Sequence, residues 1–282
     1  MSWQAVRGVA RRVAALCLGP RGEYVAHVTY HRLLRRIDCF PVHESEACRA
    51  ALRALSRTAN TVIDIGANVG RYAWLFARSG PPGRGIYAFE PMPAAFALLT
   101  ANLRDMPGVA CLPLALGAAE GVMTLHVPRD RFGNLNSGTG WIGDARPARD
   151  DVVWEVAVSP LDRLVERGSV EIRAPLFVKV DVEGFEYQAL SGARETLRRF
   201  RPVVYFECQP WALARAGVEP RVLWDFLARE GYGIVAERNG RFEAAPSVDG
   251  NVLNYFAIPN APHTGPWTSE EFIRLLGTLP HV

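Results

Sequence analysis

The sequence predicts an α/β protein with a doubly wound, mostly parallel sheet, and three observations indicate this class. Short apolar strands alternate with helix-compatible segments from Thr61 to Ile258, as in sheets with right-handed crossovers. The run Pro175–Asp181 is almost continuously apolar, which suits a strand buried on both faces of a parallel sheet. The run Thr61–Gly70 combines a β-branched strand, a glycine turn and a helix start, and open α/β sheets bind nucleotides and cofactors at such turns.

The composition narrows the class of protein. The 282 residues carry a net charge of +3, with arginines spread along the chain, which argues against a dedicated nucleic-acid binder. The five cysteines form no CxxC pair, so we expect reduced thiols in a cytoplasmic protein without a zinc site. No segment approaches the roughly 20 apolar residues of a membrane-spanning helix.

We divide the chain into three parts. Residues 1–57 form a predicted helical N-terminal extension, residues 58–260 the main domain, and residues 261–282 a helical C-terminal tail. Apolar residues between Trp3 and Cys17 follow helical spacing beside arginines. This pattern predicts a packing helix, with a membrane-surface or dimer helix as the alternative.

The core strands are predicted from apolar, β-branched runs bounded by glycine, proline or acidic residues. In chain order they are the strand starting at Thr61, then Gly85–Phe89, Val109–Leu116, Pro175–Asp181, Pro202–Glu207, Gly233–Glu237 and Asn251–Ile258. The helices are predicted from Ala, Leu and Arg content, apolar spacing and the absence of breakers. They are Glu44–Ser56, Val69–Ser79, Ala94–Arg104, a short helix after Ser159, Phe185–Phe200, Arg221–Glu230 and a closing helix Ser269–Leu276.

An insertion interrupts this alternation. Val122–Val127 and Val152–Val158 alternate between apolar and polar residues, as half-exposed strands do, so we expect an inserted β-ribbon. The loop between these strands, rich in Gly, Asn and Ser, is expected to lie over a cleft. Its Asn136, Ser137 and Thr139 either bind ligand hydroxyls or form turns.

Four acidic residues stand where core strands end. They are Asp64, Glu90, Asp181 and Glu207. The carboxyl ends of parallel strands meet at one edge of a sheet, and ligands bind outside that edge. We therefore expect the four acids to lie along a single ligand-binding edge.

The glycine turn Gly66–Gly70 indicates the kind of ligand. It has fewer glycines than the G-x-G-x-x-G of dinucleotide sites and lacks the Lys-Ser or Lys-Thr of a P-loop. Without a Cβ, Gly66 and Gly70 are expected to let a ligand approach the backbone. Glu90, about twenty residues further on, can accept hydrogen bonds from both ribose hydroxyls and would repel a 2′-phosphate. Asp64 supplies an anion for a cationic ligand group, so S-adenosylmethionine (SAM) fits this site better than NAD.

Several motifs resemble the FkbM family of class I SAM-dependent methyltransferases. They are Val62–Gly70, Phe89–Pro93, Leu114–Gly117 and, most specific, Val178–Glu186. The resemblance implies a Rossmann-like, seven-stranded sheet whose last strand is antiparallel. It also implies methyl transfer to a hydroxyl of a small molecule, sugar, glycolipid or natural product. Together with the argument above, it predicts cofactor contacts at Asp64, Gly66, Ala67, Asn68, Gly70, Glu90, Pro91, Leu116 and Asp181.

An aliphatic hydroxyl is a poor nucleophile, so a nearby base is expected to assist methyl transfer. The candidates are Asp181, Glu183 and Glu207, with Asp181 beside the transferred methyl group and Glu183 the first choice for acceptor binding or for the base. Alternatively, Glu183 caps the helix that starts near Phe185. Lys179 alternates with Asp181 along the strand and is expected to form an ion pair with Asp181 or Glu207. No histidine accompanies these acids, and no metal is predicted.

Two side chains and two rival functions are left open. His126 either reaches the cleft or, as favoured, lies at the surface, and Trp211 either stacks on a sugar ring or packs in the core. Two other functions are possible in principle. An NAD-dependent oxidoreductase is disfavoured because the third glycine is missing. A SAM-binding protein without catalytic activity is disfavoured because all four strand-end acids are present. The expected partner is a small-molecule or glycan hydroxyl acceptor.

Overall fold

The computed structural model describes residues 42, 44–129, 135–143 and 150–260. The predicted N-terminal packing helix and the closing helix Ser269–Leu276 lie outside the described residues. The division of the chain into three parts therefore stays a prediction. None of the helices in the described ranges has both the length and the apolar character that crossing a bilayer requires.

Strands and helices alternate along the described chain. The strands are β1 (Thr61–Ile65), β2 (Gly85–Phe89), β3 (Val109–Leu112), β4 (Ala115–Leu116), β5 (Gly121–Val127), β6 (Trp141–Ile142), β7 (Val152–Ser159), β8 (Leu176–Val180), β9 (Val203–Glu207), β10 (Tyr232–Arg238), β11 (Arg241–Ala244) and β12 (Asn254–Pro259). The helices are α1 (Glu46–Thr58), α2 (Arg71–Ser79), α3 (Pro93–Leu103), α4 (Leu161–Glu166), α5 (Glu186–Ser191), α6 (Arg194–Phe200), α7 (Pro210–Arg215) and α8 (Pro220–Arg229).

The main sheet has the strand order β3-β2-β1-β8-β9-β12-β10-β11. The neighbouring strands β3, β2, β1, β8 and β9 are parallel, whereas β12 is antiparallel to both β9 and β10. The predicted mostly parallel sheet is confirmed, and so is the antiparallel last strand that the resemblance implied.

The main sheet also contains an eighth strand, β11, that the sequence analysis did not predict. It pairs with β10 in a hairpin whose two-residue turn is Asn239-Gly240, with φ of +51° and +81°. Asn-Gly is a preferred sequence for such a turn because both positions need a positive φ. The seven-stranded arrangement is thus extended by one edge strand.

Helices cover both faces of the main sheet. In β1, Val62 packs on the face covered by α1, α2 and α3, together with Leu52 and Phe76. Ile63 and Ile65 pack on the other face with residues of α4 to α8. This alternation follows from the two-residue period of a strand. Burial of both faces explains why the central strands are apolar throughout, and it confirms the doubly wound architecture.

Local sequence sets the ends of α1. The Ser45 hydroxyl accepts a hydrogen bond from the Cys48 N–H at 3.1 Å, Glu46 lies in the first turn and Arg57 in the last. Both charges are favourable at their ends of the helix dipole. The predicted helix start at Glu44 is two residues early, because Glu44 precedes the Ser45 cap.

The predicted third core strand, Val109–Leu116, is divided in the structure. Strand β3 ends at Leu112, and the next residue, Pro113, has no N–H to donate to a sheet. Ala115–Leu116 form β4, which pairs with β7 outside the main sheet. The prediction of one continuous strand was therefore wrong.

The predicted helix Phe185–Phe200 is also divided, into α5 and α6 around Gly192. A Cβ on Gly192 would lie 2.0 Å from the carbonyl oxygen of Gly117. The glycine therefore permits two backbone segments to pack closely, and the continuous helix was a wrong prediction.

The insertion forms a second sheet with the strand order β4-β7-β5-β6. Strands β5 and β7 are antiparallel, which confirms the predicted β-ribbon, and β4 and β6 enlarge it. Buried residues such as Leu125 and Val156 pack with Ala95 of α3 and with Phe185, just before α5. The second sheet therefore lies against the segments that follow β2 and β8, beside the carboxyl edge of the main sheet.

Candidate active site

The register of the parallel strands aligns the ends of β1, β2, β8 and β9 to within one residue. At these aligned ends lie Gly66, Glu90, Asp181 and Glu207. Asp64 lies just inside β1. The structure thus brings the predicted strand-end acids to one edge of the main sheet.

The glycine turn after β1 takes a left-handed backbone at three positions, with φ of +72° at Gly66, +48° at Asn68 and +89° at Gly70. A Cβ on Gly66 would lie 1.9 Å from the carbonyl oxygen of Asp181, and a Cβ on Gly70 would lie 2.8 Å from the Leu99 side chain. The chain itself occupies the space that a side chain at either position would need. These glycines are required because the turn packs closely on β8 and α3.

Glu90 holds the turn through both oxygens of its carboxylate. Oε2 accepts a hydrogen bond from the N–H of Asn68, and Oε1 accepts one from the N–H of Met92, both at 2.8 Å. Burial raises the pKa of Glu90 to about 7, although these hydrogen bonds and the Lys179 ammonium oppose the rise. Since each carboxylate oxygen has two lone pairs, each can still accept a hydrogen bond from a ligand hydroxyl.

Lys179 joins the turn to the acids. Its buried ammonium donates hydrogen bonds to the carbonyl oxygens of Gly66 at 2.8 Å and Ile65 at 3.3 Å. It also forms ion pairs with Asp64 at 3.2 Å and with Asp181 at 3.4 Å. The pair with Asp181 was one of the two predicted, and the pair with Asp64 was missed. Burial lowers the pKa of Lys179, but the charges of the two aspartates outweigh that effect and raise it.

Asp64 is fully buried in this arrangement. Burial raises the pKa of Asp64, and the ammonium of Lys179 opposes the rise. The cation that Asp64 meets is therefore Lys179, where the sequence analysis expected a ligand group. A direct contact between Asp64 and a cofactor stays a prediction. The other predicted cofactor contacts also stay predictions, at Gly66, Ala67, Asn68, Gly70, Glu90, Pro91, Leu116 and Asp181.

Asp181, Glu183 and Glu207 form an acidic trio, in which one oxygen from each carboxyl group lies within 4.8 Å of the others. Burial raises the pKa of Glu183 to about 8 and that of Glu207 to about 10, and the charge of Asp181 adds to both shifts. Glu207 Oε1 also accepts a hydrogen bond from Gln209 at 3.0 Å. The three candidate groups for proton transfer are thus in one place, and the absence of a metal there stays a prediction.

Glu186, and not Glu183, stabilises the loop before α5. Glu186 Oε1 accepts hydrogen bonds from the N–H groups of Val182 at 3.1 Å and Gly184 at 3.2 Å. In the described structure, Phe185 at the N-cap makes no capping hydrogen bond through its side chain. Glu183 Oε2 is buried and has no hydrogen-bond partner among the described residues. The capping alternative for Glu183 is therefore wrong, and its Oε2 is left without a partner among the described residues.

The second sheet reaches the turn through a short 3₁₀ helix, Ser137–Thr139. The Ser137 hydroxyl donates a hydrogen bond to Oδ1 of Asn68 at 3.0 Å. The Thr139 hydroxyl donates to the carbonyl oxygen of Asn136 at 3.3 Å, within a local turn. The insertion loop therefore contacts the glycine turn directly, and Ser137 supplies that contact.

Three aromatic rings and one arginine form a stack near the trio. His126 stacks on Trp141 with ring centres 4.1 Å apart, and the Arg215 guanidinium lies 4.7 Å from the Trp141 ring and 5.2 Å from the Trp211 ring. His126 is 2% exposed, and its Nε2 lies 2.9 Å from the carbonyl oxygen of Gly143. The prediction of a surface His126 was therefore wrong. Trp211 is 53% exposed, which excludes core packing.

The raised pKa values predict that the trio reduces stability at neutral pH. The folded-state values of about 8 for Glu183 and about 10 for Glu207 exceed the ordinary 4.5. Between pH 4.5 and these raised values, the folded protein binds more protons than the unfolded chain. The free energy of unfolding therefore falls as the pH rises through this range. We expect Glu207→Gln to raise the melting temperature at pH 8 by several degrees, at roughly 2–4 °C per kcal/mol, and by much less at pH 5. Thermal unfolding at both pH values measures this.

A matched control for this prediction is Glu155→Gln. Glu155 is exposed on β7, so its loss removes a charge outside the trio and is expected to leave the melting temperature unchanged. A Glu207→Gln variant that melts below the wild type at pH 8 would contradict the prediction.

The class of protein follows from the fold and the site together. The doubly wound sheet with antiparallel β12 is the Rossmann-like fold of class I methyltransferases that the resemblance implied. The site adds the glycine turn after β1 and the acids at the ends of β2, β8 and β9. The chain belongs to the FkbM methyltransferase family, because residues 64–234 match the family described as Methyltransferase FkbM domain. The resemblance found in the sequence is thereby confirmed.

The chain is also similar to three named proteins. It is 28% identical over 167 residues to hexuronic acid methyltransferase AglP of Haloferax volcanii, covering 58% of this chain and 60% of the relative. It is 36% identical over 89 residues to 31-O-demethyl-FK506 methyltransferase FkbM of Streptomyces tacrolimicus, covering 29% and 30%. It is 23% identical over 195 residues to 2-O-methyltransferase NoeI of Sinorhizobium fredii, covering 66% and 79%. The matches to the first two relatives thus span less than two thirds of their length.

Proposed function

We propose that the chain is a SAM-dependent O-methyltransferase acting on a hydroxyl group of a sugar or another small molecule. The observation that carries this proposal is the position of Lys179 Nζ, which contacts the turn at the Gly66 carbonyl and the trio at Asp181. A turn suited to a cofactor therefore adjoins the cluster of carboxyl groups that contains the proposed base. Membership of a methyltransferase family supports methyl transfer. The names of the relatives FkbM and NoeI support oxygen as the acceptor atom, and the name of the relative AglP supports a sugar as the acceptor.

The residues at the turn fit SAM. Glu90 can accept two ribose hydroxyls with the lone pairs that its backbone hydrogen bonds leave free. The same carboxylate disfavours a 2′-phosphate. We propose that SAM contacts Glu90 and the backbone from Gly66 to Gly70, while Asp64 acts indirectly by holding Lys179.

Held by Glu90 and the backbone from Gly66 to Gly70, SAM would supply an activated methyl group for the acceptor oxygen, with the sulfonium sulfur as the leaving group that keeps the electron pair. The chain has to position the acceptor oxygen and take up its proton. Glu183 is suited to proton uptake because its buried Oε2 has no partner among the described residues. The contact from Ser137 to Asn68 keeps the insertion over the turn, which reduces access of water to the reacting groups.

The proposal predicts that Glu90→Ala weakens SAM binding. Two hydrogen bonds to a charged acceptor are lost, each worth about 1.5–3 kcal/mol, so we expect the dissociation constant to rise by roughly 100-fold or more at pH 8. For the wild type, we expect affinity to fall as the pH drops below about 7, because protonation of Glu90 removes the charged acceptor. Isothermal titration calorimetry at pH 6 and pH 8 measures both effects.

Glu90→Gln keeps one acceptor oxygen but turns an amide NH2 toward one of the two backbone N–H groups, so it retains part of the ligand contact and part of the support of the turn. We expect a smaller loss of affinity, with thermal unfolding in the absence of ligand reporting the state of the turn. Unchanged SAM affinity in Glu90→Ala would refute the ribose contact. Stabilisation by NAD without any response to SAM would overturn the proposed function.

A further inference from the structure

The proposed function leaves open what part of the acceptor the protein binds. Resting on that function, we infer that Trp211 is the stacking platform for a neutral pyranose ring of the acceptor. The indole is 53% exposed and lies in the first turn of α7, directly after β9 and the site acid Glu207. The inference depends on how this ring is held and on the groups around it.

Trp211 is tied to the acidic trio by two hydrogen bonds. Its Nε1 donates to Gln209 Oε1 at 2.7 Å, and Gln209 Nε2 donates to Glu207 Oε1 at 3.0 Å. A single amide group therefore separates the indole from a carboxyl group of the site. A ring lying on this indole would bring its own hydroxyl groups close to the trio.

Arg215 holds the indole from one side. Its guanidinium lies 5.2 Å from the centre of the Trp211 ring, and its Nη2 donates a hydrogen bond to the carbonyl oxygen of Glu183 at 3.2 Å. Trp141 stacks on the same guanidinium at 4.7 Å. With this cation over one face of the indole, a sugar ring would have to pack on the opposite face. The platform is thus held in place before any ligand binds, which reduces the entropy lost on binding.

The chemistry around the platform fits a sugar. A pyranose ring presents C–H groups on one face, which pack on an aromatic ring, and several hydroxyls at its rim, which donate to carboxyl oxygens. The trio offers three carboxyl groups, which is more than the single hydroxyl of a phenol can use.

The charge around the platform favours a neutral ring over a uronic acid. Burial and the charge of Asp181 already raise the pKa of Glu183 and of Glu207, so this site disfavours additional negative charge. Both cations are already engaged, Lys179 with two aspartates and Arg215 between two indole rings. A further carboxylate on the acceptor would therefore be opposed by burial and by the charge of Asp181.

Saturation-transfer difference NMR tests this inference with defined probes. The neutral probes are methyl glucoside, methyl galactoside and methyl mannoside, the charged probe is methyl glucuronide, and the aromatic probe is catechol. All are measured on the full chain saturated with S-adenosylhomocysteine, whose binding is first established by calorimetry. We expect a neutral glycoside to bind, with strong saturation of its ring C–H protons. Trp211→Ala is expected to abolish the signal, and Trp211→Phe to retain part of it.

Val122→Ala is the matched control, because Val122 is also an exposed apolar residue, at 66%, but lies at the start of β5. It is expected to bind the glycoside as the wild type does. The inference is overturned if Trp211→Ala binds the glycoside equally well. It is also overturned if the protein binds S-adenosylhomocysteine but only glucuronide, only catechol or none of the probes, and the proposed function then stands. Failure to bind S-adenosylhomocysteine would overturn the proposed function itself.

Discussion

Replacing Glu183 by glutamine is expected to lower turnover by roughly 10²–10⁴-fold, the usual contribution of a positioned base, while leaving SAM affinity almost unchanged. The amide cannot take up the acceptor proton, but Glu183 is not among the proposed ribose contacts. Burial raises the pKa of Glu183 to about 8, so the ionised fraction grows with pH. We therefore expect wild-type kcat/KM to rise as the pH approaches and passes about 8. Steady-state kinetics with an identified acceptor, and calorimetry with SAM, measure these effects.

Glu186→Gln provides a matched control for the loss of Glu183. Glu186 is a neighbouring buried acid whose pKa burial raises to about 7, but its Oε1 accepts hydrogen bonds from the backbone of Val182 and Gly184. The glutamine oxygen can accept the same two bonds, so we expect turnover within a few-fold of the wild type. Equal activity in Glu183→Gln and the wild type would show that another group takes up the proton.

Replacing Lys179 by methionine is expected to destabilise the protein by about 3–5 kcal/mol, the cost of leaving a buried charge without its partner. The ammonium contacts Asp64, Asp181 and two backbone carbonyls, and Asp64 is fully buried. The carboxylate of Asp64 would then be neutralised only by taking up a proton. Urea unfolding monitored by circular dichroism measures the loss of stability.

The double variant Asp64→Asn/Lys179→Met separates the buried charge from the loss of packing. It removes both members of the pair, so we expect it to recover a substantial part of the stability that Lys179→Met loses. A Lys179→Met variant that loses less than about 1 kcal/mol would show that the pair is dispensable, since exposed ion pairs contribute in that range.

Much of the fold was predictable because it depends on local patterns. The alternation of apolar strands and helices specified a doubly wound sheet, and the parallel register then aligned the strand ends that carry Glu90, Asp181 and Glu207. Even the missed strand β11 carried a local signal in its Asn239-Gly240 turn. The close packing at Gly192 was less accessible, because it depends on the Gly117 carbonyl from a distant segment.

The site was predictable as a set of residues and less so as a set of contacts. The motif around Lys179 identified the acids correctly, but it did not show that Glu186 would hold the loop and leave Glu183 with an unpartnered oxygen. It also did not place Arg215 between Trp141 and Trp211. Trp211 and Arg215 are four residues apart on α7, where helical spacing brings side chains together. Trp141 comes from β6 of the second sheet, and no pattern in the sequence connects it to them.

The sequence by itself determined the class of fold, the family and the acids that end the core strands, because each follows from periodicity or a contiguous motif. Only the tertiary structure decided which group each buried charge meets, and here Lys179 pairs with Asp64 as well as Asp181. It also decided that Gly66 makes room for the Asp181 backbone, just after β8, and that Trp211 is exposed beside the trio. The physical reason is that burial and pairing arise between segments far apart along the chain, and these contacts set the pKa values on which the proposed chemistry depends.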